Sequence, residues 1–268
     1  MAISANSTIG ELPDSRTEPD GSAVVRILSY NVRSMRDDED ALARVIRACA
    51  PDLVLVQEAP RFFRWRKHAA RLAAKSELVV LGGGATAAGP LLMCSLRATV
   101  ERTEDVLLPL VPGRHRRGLA TAVVRLGGAR IGLVSCHLSL YEEERHHQAG
   151  LLLDRVAALG TTHTIVAGDL NERPGGRSWT RLTKELQDGW ATAPWGTEYT
   201  WPATAPDRRI DAILATPDVE FLSCGVPTDL DPTDLGTATD HLPVLAVVRV
   251  PADAAATPAA AAGPAAAG

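Results

Sequence analysis

The chain has 268 residues, 46% of them hydrophobic and 22% charged, enough for one large domain whose core needs no disulfide staples. This composition excludes collagen, coiled coil and wholesale disorder, and an aromatic share of 4% argues against a surface that stacks several single-stranded bases. The net charge of −4 resides in residues 1–22 and Asp253, so residues 23–250 balance at zero and any nucleic-acid contact must come from a local patch.

Residues 1–22 hold Glu11, Asp14, Glu18 and Asp20 against Arg16. They read as a disordered tail and lack the basic and apolar regions of a signal peptide. Residues 24–30 then form a first strand. Residues 37–49 read as a helix, with Leu42, Val45, Ile46 and Cys49 at helical spacing and acids at its start. Pro51 stops that helix, residues 53–56 are a compact buried strand, residues 61–75 are helical and residues 78–81 are another strand. Four successive strands cover 91–94, 99–107, 118–126 and 129–135, the last two joined by a Gly127-Gly128 hairpin turn. A helix over 142–159, a strand over 162–167, a short helix over 178–186 and strands over 210–215 and 243–250 follow.

Strands that are partly consecutive and partly alternating with helices predict an α/β sandwich of two packed sheets with helices outside. No internal repeat or linker divides residues 23–250, so they form one domain. Residues 251–268, rich in Ala and broken by Pro258 and Pro264, read as a second disordered tail. Cys49, Cys94, Cys136 and Cys224 show no CxxC spacing. They read as small core residues of a reducing compartment, with a structural zinc site as the alternative. No run reaches the roughly eighteen apolar residues of a membrane helix. The expectation is a cytoplasmic monomer that does not insert into membranes.

Polar side chains recur at strand ends. Asn31 follows the first strand, Gln57 and Glu58 the second, and His137 and then Asp169 with Asn171 follow two later ones. Asp211 opens the strand at 210–215, and Asp240-His241 precedes the last. Any one of these is explained as a turn former, a cap or a solvated edge residue; six such places in one domain argue for a shared purpose. Glu58 and Asn31 offer hard oxygen ligands and no thiolate, which suits magnesium or manganese. Magnesium keeps most of its waters, so a sparse protein ligand set is expected. Asp169 and Asn171, spaced i, i+2, face one side if strand geometry persists, with Leu170 toward the core. A carboxylate can orient or deprotonate water, and an amide can donate to a developing phosphorane oxygen. His137 and His241 suit proton transfer near neutral pH, with Asp211 as the candidate orienting partner of His241.

The segments SYNVR (29–33), VQE (56–58), CHLS (136–139), GDLN (168–171), RIDAIL (209–214) and TDHLPV (239–244) resemble, in this order, the endonuclease/exonuclease/phosphatase superfamily. That superfamily includes DNase I-like nucleases, sphingomyelinases and inositol-polyphosphate phosphatases. The resemblance covers residues 26–250. It implies a four-layer α/β sandwich, with two mixed sheets packed face to face and helices outside, and a divalent metal, Mg2+ or Mn2+, at one sandwich edge. It implies Asn31 and Glu58 at the metal, with Glu58 the principal ligand, and Asp240 supporting metal or water. Asp169 and Asn171 would handle the nucleophilic water and the phosphate. His241, paired with Asp211, would be general base or phosphate contact, and His137 would protonate or steady the leaving group. Arg117 resembles a family arginine beside the phosphate. There are departures: residues 89–93, Gly-Pro-Leu-Leu-Met, stand where many members carry an Asn-bearing strand, and no acidic partner for His137 is legible there.

Two basic clusters would flank that edge. One is RFFRWRK (61–67), with Arg64, Lys67, His68 and Arg71 along one side if the segment is helical; the other is Arg114, His115, Arg116 and Arg117. Such clusters position phosphate without reading sequence. The expected function is a metal-dependent phosphodiester hydrolase whose partner is a phosphodiester, with a nuclease as the first reading. The alternatives are hydrolysis of an inositol phosphate or phospholipid headgroup, and a catalytically silent binding or scaffold protein.

Overall fold

The computed structural model describes residues 8–253. Thirteen strands occur among them. β1 (Arg16–Thr17), β2 (Ala23–Asn31), β3 (Leu53–Gln57), β4 (Val79–Gly83) and β5 (Leu91–Cys94) lie in one sheet together with β12 (Glu220–Gly225) and β13 (Val244–Val250). Its order is β12-β13-β2-β3-β5-β4, with β1 paired to the start of β2. The second sheet takes β6 (Thr99–Leu107), β7 (Gly118–Leu126), β8 (Ala129–His137), β9 (His163–Asp169), β10 (Gln187–Asp188) and β11 (Asp211–Ala215), in the order β10-β11-β9-β8-β7-β6. Each sheet has one parallel pair, β2 with β3 and β8 with β9, and is otherwise antiparallel.

Side-chain alternation along the strands builds the layers. In β2, Val25 and Ile27 face the other sheet and meet residues such as Val124, Leu133 and Ile165. Val24, Leu28 and Tyr30 face outward, under Leu42, Val45 and Ile46 of α1 (Glu39–Cys49) and Leu72 of α2 (Trp65–Lys75). On the far side α3 (Glu142–Ala158) and α4 (Arg177–Leu182) cover the second sheet, with Leu152, Trp179 and Leu182 against Val134 and Val166. The short helices α5 (Gly189–Thr192) and α6 (Pro232–Ala238) lie in connections, α6 packing on α1. This is the expected sandwich of two mixed sheets with helices outside. All four cysteines are buried and unbridged, spread over three apolar clusters, which leaves the zinc alternative without a ligand set among the described residues.

Local signals mostly hold. Asp38 caps α1, accepting hydrogen bonds from the Asp40 and Ala41 amides at 2.9 and 3.0 Å, a contact worth about 1 kcal/mol. Gly127 turns the β7–β8 hairpin in the left-handed region, and a Cβ there would lie 2.5 Å from Thr17. The 61–75 helix begins only at Trp65, because Arg64 is left-handed at φ 57°.

The N-terminal tail is corrected over residues 8–22. There β1 pairs antiparallel with β2, Leu12 is buried, and the Leu12 carbonyl accepts from the buried Arg26 guanidinium at 3.1 Å. The reason is geometric: β3 pairs only from Ile27 onward, so the first residues of β2 need another partner for their backbone, and Arg26 needs acceptors. Residues 1–7 and 254–268, the rest of both expected tails, lie outside the described residues. Among the described helices none is long and apolar enough to cross a membrane.

Candidate active site

Strand register gathers the polar residues. Parallel pairing sets His137 opposite Asp169, antiparallel pairing sets Asp211 opposite Asp169, and in the facing sheet Asn31 lies opposite Gln57. Gly168 is required where β8 and β9 converge, since a Cβ would fall 1.9 Å from the Cys136 carbonyl oxygen. Glu58, just past β3, adopts φ 54°, and its carbonyl accepts the Ser34 amide at 2.8 Å. That left-handed turn costs roughly 1 kcal/mol and leaves the carboxylate a third exposed at a cavity of about 560 Å³.

Asn31 is the hub joining the two sheets. Its Oδ1 accepts from the Arg33 amide at 3.0 Å. Its Nδ2 lies 3.3 Å from Glu58 Oε1, 3.2 Å from Asp169 Oδ2 and 3.4 Å from His241 Nε2. Thr239 Oγ1 donates to the Asn31 carbonyl at 3.0 Å, a contact with no sequence signal. His241 Nδ1 meets Asp211 Oδ2 at 2.9 Å, which aims Nε2 toward Asp169 Oδ2 at 3.8 Å. His137 finds the acidic neighbours that the sequence did not reveal: Nε2 is 3.4 Å from Asp169 Oδ2 and Nδ1 is 3.9 Å from Glu58 Oε1.

Burial divides the charges of this cluster. It pushes the Asp169 carboxyl above the ordinary carboxylate range, helped by the negative Asp211 beside it. Burial alone would lower His241, but the Asp211 carboxylate and its hydrogen bond, with Asp169, carry the imidazole up to about 9. His137 goes the other way: burial and the Arg117 guanidinium hold it well below its ordinary value, so it is neutral at pH 7.

Two expectations change. Asn171 does not continue the strand; it sits at φ 51°, its amide donates to Asp169 Oδ1 at 2.9 Å, and its side chain donates to the Leu138 carbonyl at 3.0 Å. An Asx turn replaces strand geometry, yet Asn171 still lines the cavity and Leu170 still enters the core. Asp240 lies outside the cavity lining and pairs with Arg33, just past β2, at 3.4 Å, so its carboxylate already has a cation. Of the first basic cluster only Arg61 lines the cavity, whereas Arg71 pairs with Glu39 at 2.5 Å. Of the second, His115 and Arg117 line it.

Arg36 and Arg208 complete the rim, and sequence reasoning missed both. Arg208 stacks 4.4 Å over Trp201, and the two residues are paired through their backbones. Their loop is tied to the His241 segment by Leu242 N–H to the Thr200 carbonyl at 2.7 Å. A Trp and an Arg seven positions apart in a Pro-containing loop carry no periodicity that would have revealed them.

The residues present fit a divalent cation. Glu58 and Asp169 flank the Asn31 amide, Asp211 stands beside Asp169 on the neighbouring strand, and Asp211 Oδ1 is buried without a hydrogen-bond partner. Asp169, Asp211 and His241 offer ligand atoms within 4.8 Å of one another, but Asp211 is already spent on His241 and stands behind the cavity wall. Of the three carboxylates, Glu58 and Asp169 line the cavity.

A two-sheet sandwich with this acid–imidazole cluster at its edge defines a hydrolytic phosphoesterase architecture. Residues 28–241 match the sequence profile of the Endonuclease/Exonuclease/phosphatase family, and the chain belongs to that family. Its members are generally hydrolytic phosphoesterases and generally depend on a divalent metal. The structure is similar to that of an endonuclease/exonuclease/phosphatase from Bacteroides vulgatus, with 21% identity, a TM-score of 0.71, and coverage of 85% of this chain and 99% of that one. It is also similar to a mannosyl-6-phosphatase from Bacteroides thetaiotaomicron, with 16% identity, a TM-score of 0.69, and 84% and 99% coverage. D. rerio TDP2 complexed with a single-strand DNA product is 19% identical, with a TM-score of 0.66 and 84% and 98% coverage. At these identities the likeness speaks for the fold. No curated protein matches the sequence.

Proposed function

We propose that this protein is a divalent-metal-dependent phosphodiester hydrolase that directs in-line attack of water on phosphate. The observation that carries the reading is a floor of Glu58, Asp169, His137 and His241 beneath a rim of Arg36, Arg61, Arg117 and Arg208. Magnesium or manganese held by Glu58, with Asn31 and Asp169 beside it, would supply charge to the phosphate and its leaving oxygen. Asp169, whose proton affinity burial has raised, suits the task of orienting and deprotonating water. His241, held by Asp211 and protonated, suits a phosphate contact better than a base. Neutral His137 steadies the leaving group by a hydrogen bond, and Asn171 and Arg117 contact phosphate oxygens.

The arginine rim by itself fits a nucleic-acid backbone, and the single-strand DNA product complexed with D. rerio TDP2 supports the nucleic-acid reading. One observation favours the second reading, a phospholipid headgroup: exposed Leu140 lines the cavity, and exposed Phe62 and Phe63 directly follow Arg61 of its lining. Magnesium-dependent release from bis-p-nitrophenyl phosphate, compared with the monoester and with plasmid nicking, tests the proposal. Diester turnover with nicking supports the nuclease, and diester turnover without nicking supports the small substrate. Silence on all three with bound metal would return the chain to the scaffold reading.

A further inference from the structure

Three loops contribute to the cavity lining, and each carries exposed apolar side chains with arginine in the loop or over it. In the loop that follows Glu58, Phe62 and Phe63 are 79% and 82% exposed. Arg61 lies 5.8 Å over the first ring and Arg64 lies 5.3 Å over the second. In the loop between β6 and β7, Leu110 is half exposed and precedes the run from Arg114 to Arg117. In the third, before α3, Leu140 is 67% exposed and Tyr141 lies beneath Arg114 at 4.0 Å. The loops converge: Arg61, His115, Arg117 and Leu140 all line the one cavity.

Exposed phenylalanines side by side leave apolar area in water that a partner would remove. We propose that this rim docks on an anionic lipid bilayer, the apolar tips entering the headgroup boundary while the arginines meet lipid phosphates. The charge chooses among partners. A second copy of the chain would bring the same cations against these, and residues 254–268 carry no acid to answer them. An unpaired nucleic-acid strand would use ring faces, but guanidinium groups lie over three of these rings, and Leu110 and Leu140 have no face to offer. Aliphatic and aromatic tips with interleaved Arg are the composition of an interfacial anchor. Docked in this way, the cavity opens onto headgroup phosphodiesters, which is the second substrate reading above. The docking itself rests on the rim and not on catalysis.

The test is sedimentation of the full chain with phosphatidylcholine vesicles, with and without phosphatidylglycerol, at rising salt. Binding should require phosphatidylglycerol and weaken with salt. It should fall roughly tenfold or more in Phe62→Ser/Phe63→Ser, a variant whose substituted side chains are solvent-exposed and whose melting temperature and turnover of bis-p-nitrophenyl phosphate should match those of the parent. Absence of phosphatidylglycerol-dependent binding overturns the proposal, as does undiminished binding by the double variant. Loss of affinity for a single-stranded oligonucleotide in that variant, with vesicles ignored by the parent, overturns it too and hands the surface to nucleic acid. A parent chain that binds these vesicles but never cleaves a diester would sink the catalytic reading and uphold the docking.

Discussion

The two ends of strand β3 make an instructive pair. Asp52 stands just before the strand and Glu58 just after it, and each borders a polar cavity, of about 420 Å³ and 560 Å³ respectively. At the first end the buried carboxylate is fully answered. Asp52 accepts from the Ser15 hydroxyl at 2.5 Å, the Arg26 amide at 2.9 Å and the Arg97 guanidinium at 2.7 Å. At the second end Glu58 and Asp169 share the Asn31 amide, Asp169 lies near two imidazoles, Asp211 keeps an orphaned oxygen, and Asp169 is pushed toward protonation. A buried acid with its partners in place holds the structure together. A group of acids that share so few positive partners suits a divalent cation, and the arginines above it suit a phosphate.

The largest expected difference between the ends is in turnover. Asp169→Ala or His241→Ala should lower diester hydrolysis roughly a hundredfold or more, while Asp52→Asn should leave kcat unchanged; equal rates in all three would erase the distinction. Next, Glu58→Gln should weaken magnesium affinity roughly tenfold or more with an unaltered melting curve, measured by titration calorimetry. Unchanged affinity would move the metal elsewhere.

Stability should then respond with opposite signs at the two ends. Asp52→Asn should cost about 1–3 kcal/mol in urea denaturation. In the metal-free protein Asp169→Asn should gain about 1 kcal/mol at neutral pH. The sign follows from linkage: a carboxyl whose folded pKa is raised contributes stability that is present below its unfolded value and is lost as pH rises, so a neutral isostere relieves the loss. If both substitutions destabilise, the two ends are alike after all. The smallest effect is a titration. The His241 ring, followed by NMR without metal, should titrate near 9 and fall back toward 6.5 in Asp211→Asn. The stability it contributes is therefore complete below about pH 6.5 and fades as the pH climbs through about 9.

Much of the fold was legible because alternation along strands and spacing along helices are local. β12 escaped because a bulge between Phe221 and Ser223 breaks its alternation, and β1 and β10, two residues each, are too short to show a pattern. Asn31, Glu58, His137, Asp169, Asp211 and His241 were each visible as polar groups at strand ends. The turn at Asn171, the diversion of Asp240 to Arg33 and the rim arginines Arg36 and Arg208 were not. These depend on backbone signs and loop contacts that have no period.

The amino-acid sequence by itself determined the inventory: hard oxygen donors, two imidazoles and an apolar alternation that buries two sheets. Tertiary structure alone decided which donors meet and what charge they carry. Asn31 and Asp169 are 138 positions apart, yet they share a hydrogen bond. A carboxyl's proton affinity is set by burial and by neighbours from distant strands, quantities that exist only once the sheets have packed.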